Sequence, residues 1–88
     1  MTVMHRVLIA RRAERELARI PKDIQQRIAD AIPPLAEDPV HARSGLDVAR
    51  LEGGKNTWRL RVGNYRILYE VEPESIKMTR VVHRSIAY

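Results

Sequence analysis

The stretch that most constrains the fold is the run from Trp58 to Val71, where two apolar-rich segments flank Gly63-Asn64. Glycine and asparagine tolerate the positive φ of a tight turn, so the run reads as two strands, 58–62 and 65–71, joined in a hairpin. Side chains alternate along a strand. That alternation puts Trp58, Leu60 and Val62 on one face of the first strand, and Arg59 and Arg61 on the other. On the second strand Tyr65, Ile67, Tyr69 and Val71 alternate with Arg66, Leu68 and Glu70. One face is dry enough to cover a core, and the opposite face presents guanidinium groups.

The rest of the chain supplies what could cover the dry face. Val7-Leu8-Ile9 within residues 3–10 is apolar, with β-branched Val7 and Ile9, which marks a first strand. From Ala10 the period changes. Ala10, Ala13, Leu17 and Ile20 recur at three- and four-residue steps among charged residues, the pattern of an amphipathic helix with no good N-cap. Pro21 ends that helix and can open a second. The second helix carries Ile24, Ile28, Ala31, Ile32 and Leu35 on one stripe, and the short connection predicts an antiparallel helical hairpin. Pro33-Pro34 interrupt the stripe, which predicts an end or kink near Ile32 with Leu35 on a separate turn. Residues 40–57 read as a loop with room for a short strand, anchored by Val48 and Leu51. Residues 76–83 read as a last strand, in which Ile76, Met78 and Val82 share a parity with Arg80 while Val81 lies opposite. Alternation alone leaves open which face is buried there and whether a bulge shifts the register. The expected fold is therefore α+β: a two-layer single domain over residues 1–88, with the helical hairpin packed on a mainly antiparallel four-stranded sheet in the order β-α-α-β-β-β.

Composition narrows the function classes. With 88 residues, 44% of them hydrophobic and 31% charged, the chain suits one folded domain with a modest core. No apolar run approaches a bilayer span, no signal peptide is evident, and there is no cysteine, all of which fits a cytoplasmic protein without a membrane role. The net charge of +5 is unevenly spread. Residues 11–38 hold six basic and six acidic groups; residues 55–69 hold Lys55, Arg59, Arg61 and Arg66 and no acid; residues 75–88 hold Lys77, Arg80 and Arg84, again with no acid. A basic field in the strand-rich half favours a polyanion such as nucleic acid, or an acidic protein partner.

Several chemistries drop out. Gly53-Gly54 lacks phosphate-loop spacing, and His5, His41 and His83 are too scattered for a metal site. Ser44, Ser75 and Ser85 lack a nucleophile-elbow context, and the Glu14/Glu16 and Glu72/Glu74 pairs suit solvated charge. Trp58, Tyr65 and Tyr69 share the inner parity and suit core packing. What remains is Arg59, Arg61, Arg66, His83, Arg84 and Tyr88. Arginine neutralises phosphate and stabilises charge in phosphoryl transfer, histidine exchanges a proton near neutrality, and tyrosine stacks or donates a hydrogen bond. Such parts suit RNA cleavage through its own 2′-hydroxyl, with neither metal nor cofactor. The same arginines also suit an exposed, merely solvated strand face.

The order of several segments resembles the RelE/ParE superfamily of bacterial toxin–antitoxin toxins, its RelE branch more closely. Arg11-Arg12-Ala13-Glu14-Arg15-Glu16-Leu17 leading to Ile20-Pro21, Ala36-Glu37-Asp38-Pro39, Arg50-Leu51-Glu52-Gly53, the hairpin itself and His83-Arg84-Ser85-Ile86-Ala87-Tyr88 are similar to successive family segments. The resemblance implies a toxin that cleaves mRNA on the ribosome by 2′-hydroxyl attack, leaving a 2′,3′-cyclic phosphate, and that pairs with a cognate antitoxin. It implies that Arg59 and Arg61 orient the 2′-hydroxyl and stabilise the phosphorane, and that Arg66 holds the scissile phosphate. It implies that Arg84 assists the leaving oxygen, Tyr88 stacks on substrate and His83 carries a proton. Arg50, Lys55 and Arg80 are expected to add nucleic-acid contacts. Two departures matter: Glu52 stands where a basic residue is expected, and arginines stand where lysines are common. Arginine stays protonated, so proton abstraction falls to His83 or to water. A gyrase inhibitor of ParE type and a catalytically weak antitoxin-binding module are the other readings of the same resemblance.

Overall fold

The computed structural model describes residues 4–86. Seven elements follow one another: β1 (Arg6–Ile9), α1 (Arg11–Leu17), α2 (Lys22–Glu37), β2 (Asp47–Arg50), β3 (Thr57–Val62), β4 (Tyr65–Val71) and β5 (Ser75–His83). The strands form one sheet in the order β1-β5-β4-β3-β2, with β1 parallel to β5 and the other neighbours antiparallel. Two helices cover one face, so the α+β, two-layer expectation holds. The strand count does not. Asp47–Arg50 is a fifth strand, paired with β3 from Asp47↔Arg61 to Arg50↔Trp58, where a loop with room for a short strand is expected. Four residues carry too little alternation to announce a strand; the partner β3 makes it one.

The hairpin is as read. Among the described residues Gly63 takes the positive φ (58°) at the turn, and Asn64 does not. A Cβ on Gly63 would also sit 3.3 Å from Arg27 Nη1 and Ile24 Cδ1 of α2, so the turn is closed against the helix layer. Leu60, Val62, Ile67 and Tyr69 are buried with Ala13 of α1 and Ile28 and Leu35 of α2 in one apolar cluster. The Tyr69 hydroxyl donates to the Pro39 carbonyl at 2.6 Å inside that core.

On β5 the parity problem is solved by a bulge. Leu68 pairs with Arg80 while Tyr69 pairs with Met78, so Thr79 is an extra residue. Ile76 and Met78 face the helices before it, Val81 after it, and Val82 turns to the open face beside Arg66. Beyond Met78 β5 loses its partner β1, and Glu16 of α1 takes over that edge. Its carboxylate accepts the Val81 N–H at 2.9 Å and the Arg80 guanidinium at 3.0–3.2 Å.

Two helix boundaries differ from expectation. α1 ends at Leu17 rather than Ile20, and Pro21 is the N-cap of α2. α2 does not stop at Ile32 but runs through Pro33-Pro34 to Glu37. The carbonyls that lose a donor, on Ala29 and Asp30, belong to exposed residues that water can serve, while Leu35 and Ala36 gain full burial. Arg43 then closes the helix end, donating to the carbonyls of Pro34 (2.6 Å), Asp38 (3.1 Å) and His41 (2.6 Å).

Candidate functional site

Cross-strand partners share a face, so the open side of the sheet can be read as rows. One row is Asp47–Arg61–Arg66–Val82, and the next is Ala49–Arg59–Leu68–Arg80. Arg61 and Arg66 stand directly opposite each other, a like-charge juxtaposition that costs stability unless an anion or counter-charge answers it. The chain leaving β5 is tied back to the turn by the Arg84 N–H on the Asn64 carbonyl at 2.8 Å. That bond brings Arg84 beside the pair. Arg61, Arg66 and Arg84, with Gly63, Asn64 and Tyr65, line a cleft of about 170 Å³. Three arginines line one small hollow, two of them on strands fixed by the core behind them, and arginine is the side chain best suited to meet a phosphate-like anion.

The remaining expected residues are dispersed. Arg59 stays on the same face, but its guanidinium is occupied: Nη1 donates to the Asp47 carbonyl at 3.2 Å and to Asp47 Oδ1 at 3.1 Å, and the side chain is only 17% exposed. Asp47 Oδ2 lies 3.7 Å from Arg61 Nη1. Asp47 was invisible as a site residue because it lies 12 and 14 positions before its partners, in a segment whose strand register is set by tertiary pairing. His83 pairs with Tyr65 and, like Val81, belongs to the helix-side face, across the sheet from Arg61 and Arg66. Its ring stands edge-on to Tyr65 at 5.2 Å, and its Nδ1 accepts the Ser85 N–H at 3.2 Å with the Ser85 hydroxyl 2.8 Å away. An accepting Nδ1 puts the proton of the neutral ring on Nε2.

Arg80 is committed to Glu16 in a two-pronged pair with both side chains 24% exposed, so it holds α1 to β5 rather than offering a free cation. Arg50 pairs with Trp58, which places it on the helix-side face of the edge strand β2. Lys55 is exposed in the β2–β3 loop, near Glu70 and Glu72 at the far end of the sheet from the cleft. Tyr88 lies outside the described residues. The structure thus brings together Arg61, Arg66 and Arg84, keeps Arg59 one row away behind Asp47, and separates His83, Arg50, Lys55 and Arg80 from them. Among the described residues no three His, Cys, Asp or Glu side chains are grouped to hold a metal ion.

Comparison with known proteins agrees with the fold and narrows the family. Residues 7–88 match the family model of the "ParE toxin of type II toxin-antitoxin system, parDE". Toxin RelE3 of Methanocaldococcus jannaschii is 35% identical over 83 residues, 94% of each chain. Among solved structures, the archaeal RelE–RelB complex of Pyrococcus horikoshii OT3 superposes with a TM-score of 0.79 at 32% identity, covering 99% of this chain and 100% of that one. The RelB–RelE antitoxin–toxin complex of Methanococcus jannaschii gives a TM-score of 0.76 at 33% identity, covering 89% and 91%. The match spans the helices, the hairpin and the C-terminal strand alike, and the chain belongs to the ParE/RelE family of type II toxin–antitoxin toxins.

Proposed function

We propose that this protein is the toxin of a RelBE-type module and that it acts as a ribosome-dependent mRNA endonuclease, held in check by a cognate antitoxin. The observation that carries the reading is the cleft bounded by Arg61, Arg66 and Arg84 on the open face of the sheet. In that cleft Arg61 and Arg66 would bind the non-bridging oxygens of one phosphodiester. The 2′-hydroxyl of the preceding ribose attacks the phosphorus, a pentacovalent dianion builds up, and the bond to the 5′-oxygen breaks to leave a 2′,3′-cyclic phosphate. Two guanidiniums fixed on adjacent strands stabilise the charge that appears only in that intermediate. Arg84 would stabilise the charge on the leaving 5′-oxygen, which takes up a proton from water to depart as a 5′-hydroxyl.

In this reading the proton-transfer role does not fall to His83. His83 sits on the other face of the sheet, and the described residues lining the cleft (Arg61, Gly63, Asn64, Tyr65, Arg66 and Arg84) include no histidine or carboxylate to take up a proton. The 2′-hydroxyl proton therefore leaves to water or to a group supplied by the ribosome, and the protein contributes orientation and charge. This accounts for the dependence on the ribosome in the proposal.

The test is induction of the protein in a sensitive host, followed by mapping of new mRNA 5′ ends. Cleavage within translated codons, abolished by Arg66→Ala with the fold intact, supports the reading. A second reading has one observation behind it: the matching family model carries the ParE description, so poisoning of DNA gyrase through protein contacts is the outcome to score if induction breaks DNA and leaves mRNA whole.

A further inference from the structure

The cleft has an acidic neighbour that the sequence does not bring near it. Asp47, on the edge strand β2, shares a row with Arg61 and Arg66 and reaches diagonally to the next row. Its two carboxylate oxygens are divided between two arginines: Oδ1 is 3.1 Å from Arg59 Nη1, and Oδ2 is 3.7 Å from Arg61 Nη1. Its main-chain carbonyl takes a further bond from the same Arg59 nitrogen at 3.2 Å. The result is asymmetric. Arg59 is clamped at two points and mostly covered, while Arg61 is touched on one nitrogen and remains 47% exposed, with the rest of its fork available to the cleft.

We infer that Asp47 is an internal counter-ion and positioning residue for the phosphate site. It removes Arg59 from substrate binding and steadies Arg61 opposite Arg66, so that the face binds one phosphate in one place. The inference rests on the nuclease reading for its catalytic half. Without Asp47 the carboxylate shared by Arg59 and Arg61 is lost, and repulsion between these neighbouring guanidiniums would splay them. Such a face would grip polyanions harder but less specifically. Phosphate affinity and cleavage rate are thereby set against each other: the carboxylate gives up some binding to hold a geometry that matters only at the intermediate.

The test is Asp47→Asn, which keeps the side-chain shape and the main-chain carbonyl, with Asp47→Glu as the charge-restoring control. Binding is measured with a single-stranded oligonucleotide lacking 2′-hydroxyls, which cannot be cut, across a salt series. Asp47→Asn is expected to bind it about two- to five-fold more tightly at low salt, the range of one exposed ion pair. The slope of log K against log salt is expected to steepen by roughly 0.7, the equivalent of one more phosphate contact on a single strand. In ribosome-dependent cleavage, KM and kcat should fall together, kcat by about tenfold or more, since small misplacements of a positioning group cost that much. Asp47→Glu should return both readouts toward the parent.

A purely structural carboxylate gives a different pattern: weaker binding, an unchanged salt slope and a lowered melting temperature in Asp47→Asn. That result, or unchanged binding and slope, overturns the inference. No cleavage by the parent protein would instead refute the nuclease reading, and the binding measurements would still decide whether Asp47 is the counter-ion.

Discussion

Replacing Glu16 tests how the helix layer is fastened to the sheet that carries the site. Its carboxylate accepts the Val81 N–H at 2.9 Å, Arg80 Nε at 3.1 and 3.2 Å and Arg80 Nη2 at 3.0 Å, with Arg12 Nε at 4.0 Å. In Glu16→Ala these bonds vanish, and the Val81 amide, in a residue only 3% exposed, loses its partner on an edge that β1 no longer covers. A lost bond to a charged acceptor costs about 1.5–3 kcal/mol. Breaking a buried ion pair costs more, but part of each side chain here is still in water, which discounts it. The expected total is about 2–3 kcal/mol, or roughly 10–20 °C of melting temperature in a domain this size.

The pH dependence gives the experiment a second arm. Desolvation pushes the Glu16 carboxyl up, but the Arg80 hydrogen bond, the Val81 N–H and the charges of Arg80 and Arg12 outweigh it and hold the carboxyl below its ordinary 4.5. A depressed folded value means the contribution is present above pH 4.5 and lost as pH falls through the folded value. Thermal unfolding followed by circular dichroism should therefore show the gap between parent and Glu16→Gln closing as pH drops from 6 toward 3. A gap under about 3 °C at neutral pH, or one that persists unchanged in acid, would refute the reasoning.

Other substitutions probe single features. Tyr69→Phe removes the buried bond to the Pro39 carbonyl and should cost about 1–2 kcal/mol by denaturant unfolding. The same burial raises the Tyr69 phenol, so the alkaline absorbance change that Tyr69→Phe removes should appear in the parent only as the fold melts. Arg43→Ala frees the carbonyls at the end of α2 and should cost about 1 kcal/mol, with faster amide exchange in residues 34–37. Pro33→Ala restores a donor to the Ala29 carbonyl and should stabilise by about 1 kcal/mol, the helix gain being partly offset by a looser unfolded chain.

The hairpin was legible because its two signals are local: alternation over five to seven residues and a Gly-Asn turn. Its dry face is the one now packed under Ile28 and Leu35, and its basic face lies on the side away from the helices. What stayed hidden depends on contacts made elsewhere in the fold. Asp47–Arg50 becomes a strand only against β3, and the Thr79 bulge exists only relative to β4. Pro33-Pro34 are tolerated because Leu35 and Ala36 are buried beyond them, which no propensity records. For the site, parity put Arg59, Arg61 and Arg66 on one face, of which Arg61 and Arg66 line the cleft together with Arg84 from the C-terminal segment. Parity also misled. The bulge carried His83 to the helix side, and Glu16, 64 positions away in sequence, claimed Arg80. Asp47 escaped notice for the same reason, since opposite charges meet across strands whose register the sequence does not state.

The central claim is that the Arg61–Arg66–Arg84 cleft binds a scissile phosphate of mRNA. The most direct measurement is the map of mRNA 5′ ends after induction of the parent protein and of Arg66→Ala, with circular dichroism showing that the variant is folded. The account predicts new ends within translated codons for the parent and their loss in Arg66→Ala. Growth arrest with intact mRNA in the parent, or undiminished cleavage by a folded Arg66→Ala, would contradict it.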